Sequence, residues 1–414
     1  MDYYLLTDLA AQIGYELAVS GAETFRVEET MQRVLRAYGV ECQAFVIPNC
    51  VMLSLEGAGG KPLMIMRRVG FHGNDLDAVE RLNALSRRIC AETPDVPEAA
   101  RWLRETTASR RCYSAPVYYL GSFLTAAGFC PVFGGTPSDW LWSGAMGLII
   151  GFVTRHMHRL EANPFFSTIA ASFLMSAAAF LAAALHWVAN VDAVIIGALM
   201  ILVPGLLITN SMRDIIYGDT NSGINRIVQV LLSALAIAMG TAAAFRLTAP
   251  LYGQTAAAAL TWSFPVQSLA ISAACTGFFI LFNVHGRGSL LCVAGGVLTW
   301  AVYLLCGRLW CSVYAMNFYA SAVAALYAES MARLRKYPVT SYLVISIVPL
   351  LPGAGIYYTM YLALNGSMQS SLQKGLETAG IAGSIAAAIL LVSTVFRLAA
   401  KSRQQLRERG GTKS

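Results

Sequence analysis

The sequence predicts an α-helical integral membrane protein: ten transmembrane helices as two inverted five-helix repeats, preceded by a small α/β cytoplasmic domain. Three observations carry that prediction. Charge is concentrated at the two ends of the chain, ten apolar runs of about span length fill the middle, and one Pro-Gly pattern recurs at a fixed offset within those runs.

Of the chain's 414 residues, 56% are hydrophobic and only 13% charged, against roughly 25% charged in ordinary soluble domains. Residues 1–112 hold 28 of the charges, residues 113–396 hold 18, and the segment from Arg397 onward holds the other 7. The chain therefore divides into a soluble domain (1–112), a first membrane repeat of five spans (113–250), a second (260–400) and a basic cytoplasmic tail (401–414). The net charge of +7 lies in that tail and in short loops between apolar runs. It fits membrane orientation, not nucleic-acid binding. The nine cysteines include no CxxC pair and no histidine at ligand spacing, so they read as reduced, packed side chains with no metal and no cofactor. Asp8 and Glu16 interrupt the first apolar pattern, which argues against a secretory leader.

The soluble domain reads α-α-β-β-β-α-α. A helix covers 5–19. A capping box, Ser20-Gly-Ala-Glu23, opens a second helix whose stripe is Val27, Met31, Val34, Leu35 and Tyr38. Three strands follow, Cys42–Pro48, Val51–Leu55 and Leu63–Arg67, with Gly57-Ala-Gly-Gly60 turning between the last two. Helices near 75–91 and 95–108 close the domain. His72, in a turn, is its one histidine, and no catalytic constellation accompanies it.

The ten predicted spans are 114–133, 139–156, 165–187, 192–212, 225–245, 262–283, 288–306, 311–331, 339–363 and 376–397. With the N-terminus in the cytoplasm, the inside loops hold Arg155, Arg159, Arg213, Arg226, Arg287, Arg333, Arg335 and Lys336. The outside loops hold Arg246, Arg308 and Lys374. That bias predicts both termini inside the cell.

Residues 201–245 and 349–393 resemble one another. At an offset of 148, Pro204 matches Pro352, Gly205 matches Gly353, Ser211 matches Thr359, Met212 matches Met360 and Gly218 matches Gly366. Five spans is an odd number, so two such repeats face opposite ways, and paired Pro/Gly breaks in inverted repeats mark the substrate path of secondary transporters. Both breaks are expected near the bilayer midplane. The polar positions beside them, Thr209, Asn210, Ser211, Tyr357, Tyr358 and Thr359, complete the predicted substrate site with Pro204, Gly205, Pro352 and Gly353. Asp214, Arg213 and Glu329 are the predicted coupling residues, because ionisable groups in spans are costly and usually functional. No GxxxxGK[ST] motif is present, which points to an ion gradient, of protons or another ion, as the driving force. A homo-oligomer is compatible with this reading. Membrane enzymes gather His, Asp and Glu within spans, whereas His156, His158, His186 and His285 all fall near predicted loops.

Ser20-Gly-Ala-Glu-Thr-Phe-Arg-Val-Glu28, Phe133-Gly-Gly135 with Asp139, Val203-Pro-Gly-Leu-Leu-Ile-Thr-Asn-Ser-Met-Arg-Asp214, Gly218-Asp219 and Pro349-Leu-Leu-Pro-Gly353 resemble the threonine/serine exporter family. The resemblance covers nearly the whole chain, which looks like the family's fused form. It implies an inner-membrane exporter of small hydroxy amino acids, with threonine or serine and the lipid bilayer as partners. Split relatives are associated with dicarboxylate (succinate-like) export, the alternative substrate class. A membrane sensor with a ligand-binding soluble domain is the alternative activity. One departure is that Val344-Ile-Ser346 stands where another Pro-Gly is expected.

Overall fold

A computed structural model describes residues 2–70, 73–248, 260–286, 288–309, 311–335, 339–364 and 366–411. His72, Arg287, Lys336 and Ser414 lie outside the described residues. The chain forms two compact units. The first is Met1–Tyr113 together with Asp219–Asn225 and Leu281–Arg287, and the second holds the remainder.

The first unit runs α1 (Tyr3–Val19), α2 (Thr24–Ala37), β1 (Cys42–Ile47), β2 (Cys50–Glu56), β3 (Pro62–Arg68), α3 (Leu76–Glu92) and α4 (Val96–Ala108). Asp2 caps α1 by accepting from the Tyr4 and Leu5 amides. The strands form an antiparallel sheet in the order β1-β2-β3, with Cys42 opposite Leu55 and Leu53 opposite Ile65. Val51, Leu53 and Leu55 alternate onto the buried face. There they join Leu6, Ile13, Leu17, Val27, Met31 and Leu35 in one core. The expected capping box at Ser20 does not form. Ser20 instead ends α1, and Glu23 precedes α2 without a side-chain cap. The reason is Gly21, which turns the chain at φ +91 against the Gly73 carbonyl, where a Cβ would sit 2.3 Å from the oxygen.

Two segments from far along the chain complete this unit. The Ser222 hydroxyl donates to the Val46 carbonyl, whose own amide donates to Glu28 at 2.8 Å. The Leu76 amide donates to Phe282 O, Asn283 Nδ2 donates to Asp75, and Tyr113 donates to Val284 O. His285 stacks on Tyr113 at 4.2 Å.

The second unit contains α5 (Ala115–Phe129), α6 (Pro137–Arg159), α7 (Pro164–Ala184), α8 (Val191–Leu199), α9 (Gly205–Tyr217), α10 (Thr220–Thr248), α11 (Phe264–Leu281), α12 (Ser289–Arg308), α13 (Val313–Arg335), α14 (Val339–Ile347), α15 (Gly353–Leu364) and α16 (Met368–Gly411). The first turn of α10 and the last residue of α11 belong to the first unit. Every predicted span is helical, and the fourth and ninth are each split in two. Six helices, α5 with its terminal turn, α7, α10, α11, α12 and α16, are long and apolar enough to cross a bilayer. The α14–α15 pair, bent by 49°, is apolar and long enough for a seventh crossing if it counts as one span. The other three expected spans, α6, α8–α9 and α13, fall short of that apolar standard. They carry polar or charged residues such as Asp139, Arg213, Asp214, Asn317 and Glu329.

α8, α9 and α10 begin 148 residues before α14, α15 and α16. Packing follows the same correspondence. α6 packs on α7 and α8 while α12 packs on α13 and α14, and α9 packs on α16. On the other side, Ile356 and Met360 of α15 cluster with Val230 and Ala234 of α10. The short helices α8 and α14 are buried almost all round.

Candidate functional site

At nine residues each, α8 and α14 rise only about 14 Å, half of a ~30 Å hydrocarbon core. Each stops because the next turn runs into proline, which lacks an amide and cannot continue the helix. Pro204 is the residue before α9, and Pro352 precedes α15. The two breaks share their local geometry. The Gly205 amide donates to Val203 O at 2.9 Å and the Gly353 amide donates to Leu351 O at 2.7 Å. One turn on, Ile208 donates to Pro204 O and Ile356 to Pro352 O.

The breaks also lie against each other. A Cβ on Gly205 would stand 2.9 Å from Leu351 Cβ, and one on Gly353 would stand 2.9 Å from Met200 Sδ and 3.1 Å from Val203 Cγ1. Each glycine therefore faces the opposite break, and its missing side chain permits the approach.

Beyond the breaks the two halves differ. On α9, Thr209 is fully buried and returns its hydroxyl to Gly205 O, Ser211 is buried and Asn210 half-buried. Arg213 and Asp214 are buried, and Asp214 lies 2.9 Å from Arg226 of α10. On α15, Thr359 likewise returns its hydroxyl to Gly355 O. Tyr357 is buried and its ring centroid lies 5.4 Å from Tyr358 and 5.7 Å from Tyr361. These rings pack on the cluster built around α8. Asp192, in the first turn of α8, is exposed.

Glu329 is placed elsewhere. It pairs with Arg333 one turn along α13 at 3.4 Å, and that guanidinium sits over Phe396 of α16. Sequence reasoning did not join Arg226 to Asp214: Arg226 reads as a loop charge until the fold brings the two together. Asp139, by contrast, has a structural task. Its carboxylate completes a capping box with Thr136 and accepts from the Ala189 and Asn190 amides, fixing the entry to α8.

Six long apolar helices and a bent apolar pair indicate a multi-pass membrane protein. The chain belongs to the threonine/serine exporter family: residues 8–248 match the model described as "Putative threonine/serine exporter" and residues 267–395 the one described as "Threonine/Serine exporter, ThrE". It is 22% identical over 407 residues to the "Probable threonine/serine exporter" of Mycobacterium tuberculosis, covering 93% of this chain and 75% of the relative. It is 23% identical over 407 residues to the "Threonine/serine exporter" of Corynebacterium glutamicum, covering 94% and 82% respectively. No solved structure matches it. Membership places the chain among membrane exporters.

Proposed function

We propose that the protein exports threonine- or serine-type amino acids across the inner membrane, along a path through the two Pro-Gly breaks. In this reading the ten helices or helix pairs are ten spans forming two inverted repeats, with both termini in the cytoplasm. The observation that carries it is the pair of breaks: matched in register, alike in backbone geometry and facing one another through glycine. Broken helices expose backbone dipoles at mid-membrane, where a zwitterion's carboxylate and ammonium need partners. Hydroxyl and amide groups at Thr209, Asn210, Ser211, Tyr357, Tyr358 and Thr359 suit a small hydroxylated side chain. Coupling to an ion gradient falls to the Asp214–Arg226 pair with Arg213, which lie on and beside the broken span. Glu329 serves coupling only if its pair with Arg333 opens.

Labelled threonine or serine flux from proteoliposomes tests the reading. Gradient-dependent flux that falls when Asn210 or Tyr358 is replaced by alanine supports it. Succinate flux without amino-acid flux overturns it.

A further inference from the structure

We propose that Cys306 and Cys311 are oxidised to a disulfide across the turn from α12 to α13, on the outer face of the membrane. The proposal rests on the orientation given above, with the N-terminal unit in the cytoplasm, and adds a covalent modification to it.

Backbone hydrogen bonds curl the chain back on itself at this turn. α12 ends at Arg308, and the Leu309 amide donates to the Leu305 and Cys306 carbonyls. The Cys311 amide also donates to Cys306 O, at 3.3 Å. A bond of that reach at a helix end is the longer hydrogen bond of a Schellman turn, commonly accompanied by contact between the side chains at its two ends. Here both ends are cysteines. The covalent bonds and this one hydrogen bond keep the two Cα atoms within about 7 Å, and closer in any bent arrangement. A disulfide spans about 4.4–6.8 Å between Cα atoms, so the turn already holds the pair at bonding range. The two thiols are close enough to interact.

Compartment decides whether such a pair is oxidised. The Leu281–Arg287 connection belongs to the N-terminal unit, and α12 follows directly from it. α12 is among the helices long and apolar enough to cross a bilayer. One crossing therefore separates Cys311 from the face on which that connection lies, whatever the total number of spans. With the N-terminal unit inside the cell, Cys311 is outside, where thiols are not kept reduced.

The other cysteines make the contrast. Cys42, Cys50, Cys90 and Cys112 belong to the N-terminal unit. Cys42 lies opposite Leu55 and Cys50 opposite Ile47, so these two stand at opposite ends of the β1–β2 pairing. Cys275 and Cys292 are buried within α11 and α12, away from any oxidant. The expectation that all nine cysteines are reduced is thus revised for one pair.

Exposure sets the order of the chemistry, because Cys311 is partly exposed and Cys306 is buried. The Cys311 thiolate attacks one sulfur of an extracytoplasmic protein disulfide, whose other sulfur leaves as a thiolate. The Cys306 thiolate then attacks Cys311 Sγ and displaces the oxidant's remaining sulfur. The chain gives up two electrons and two protons, and the oxidant's disulfide becomes a dithiol. The product staples α12 to the start of α13, the helix that packs on α14 and α16.

The test uses the full-length protein in cells. Cultures are quenched in acid to stop thiol exchange, and free thiols are blocked with N-ethylmaleimide after denaturation. Wild type should block seven cysteines, its nine less the bonded pair, and nine blocked overturns the proposal. Trypsin cuts after Arg308, between the two cysteines, so the flanking peptides should stay joined until reductant is added. Peptides that separate without reductant overturn the pairing. Cys311→Ser should block all eight remaining cysteines, because Cys306 has lost its partner. Six blocked in that variant places the bond elsewhere and overturns the assignment. Sidedness is read separately in Cys306→Ser, where an impermeant maleimide added to intact cells should mark the peptide carrying Cys311. Marking only after permeabilisation overturns the orientation, while the thiol count still decides the bond.

Discussion

A carboxylate reveals its surroundings by where it holds its proton. Glu28 lies between α2 and β1, accepting the Val46 amide with Asp219 nearby. Burial raises its pKa above the usual carboxylate range, the Val46 hydrogen bond opposes that, and Asp219 adds to it. The folded pKa therefore exceeds the unfolded value of about 4.3. The associated stability is fully present below that value and is lost as pH rises through the folded pKa. Glu28→Gln keeps an acceptor for Val46 and removes the charge, so the variant should match wild type in acid and melt higher at neutral pH. Melting curves followed from pH 4 to 7 check this; a difference that does not change with pH counts against it. Asp214 is held by an ion pair instead. It and Arg226 are only 12% and 13% exposed, and removing one partner of a buried pair costs about 3–5 kcal/mol. The Glu329–Arg333 pair has a half-exposed arginine and belongs to the i,i+4 class worth roughly 0.3–0.5 kcal/mol. Asp214→Asn should accordingly lower both melting temperature and flux far more than Glu329→Gln. The double variant Asp214→Asn, Arg226→Gln separates the roles. Stability that returns without flux assigns the pair to coupling, whereas the return of both makes it structural.

At the scale of the element, the two glycines facing the opposite breaks are not equivalent. A methyl at Gly205 meets Leu351 Cβ, an atom fixed to the backbone of the other break. A methyl at Gly353 meets first the thioether of Met200, the flexible end of a long side chain. Gly205→Ala should therefore destabilise by about 1–3 kcal/mol, the usual cost of overpacking, with Gly353→Ala losing less. Thermal melts of the two purified variants rank them, and the reverse order would show that the first break gives way more easily than the second. The breaks themselves were legible in the sequence because Pro-Gly acts locally. The helices of the N-terminal unit were legible for the same reason, through periodic stripes such as Val27, Met31 and Val34. The Ser20 cap was misread because its pattern is also local, while the turn is decided by Gly21 against Gly73, more than fifty residues away in sequence. The Asp214–Arg226 pair and the approach of Gly205 to Leu351 depend on which elements meet, and no spacing in the chain encodes that.

For the whole molecule, the parity of the crossings makes a prediction of its own. The connections at Asp219–Asn225 and Leu281–Arg287 belong to the N-terminal unit, so the proposed ten-span topology requires both on its side of the membrane and the intervening turn on the other. Cysteine introduced at Ser312, in a background lacking Cys112 and Cys311, should react with an impermeant maleimide added outside intact cells. Cysteine at Asn163 should react only after permeabilisation, and labelling of both from outside would remove the ten-span topology. The span count was the least legible feature at this scale, because α6, α8–α9 and α13 carry residues such as Asp139, Asp214 and Glu329 that keep them short of the apolar length of α7 or α12. The shared ownership of those two connections also sets a timetable for synthesis. The N-terminal unit is not finished when Tyr113 leaves the ribosome. Its Val46 carbonyl awaits Ser222, and the Leu76 amide awaits Phe282. At roughly 5–20 residues per second, the chain between Tyr113 and Arg287 takes on the order of 9–35 s to make. For that interval the nascent domain lacks both of these hydrogen bonds, and any chaperone that guards it must work in that window.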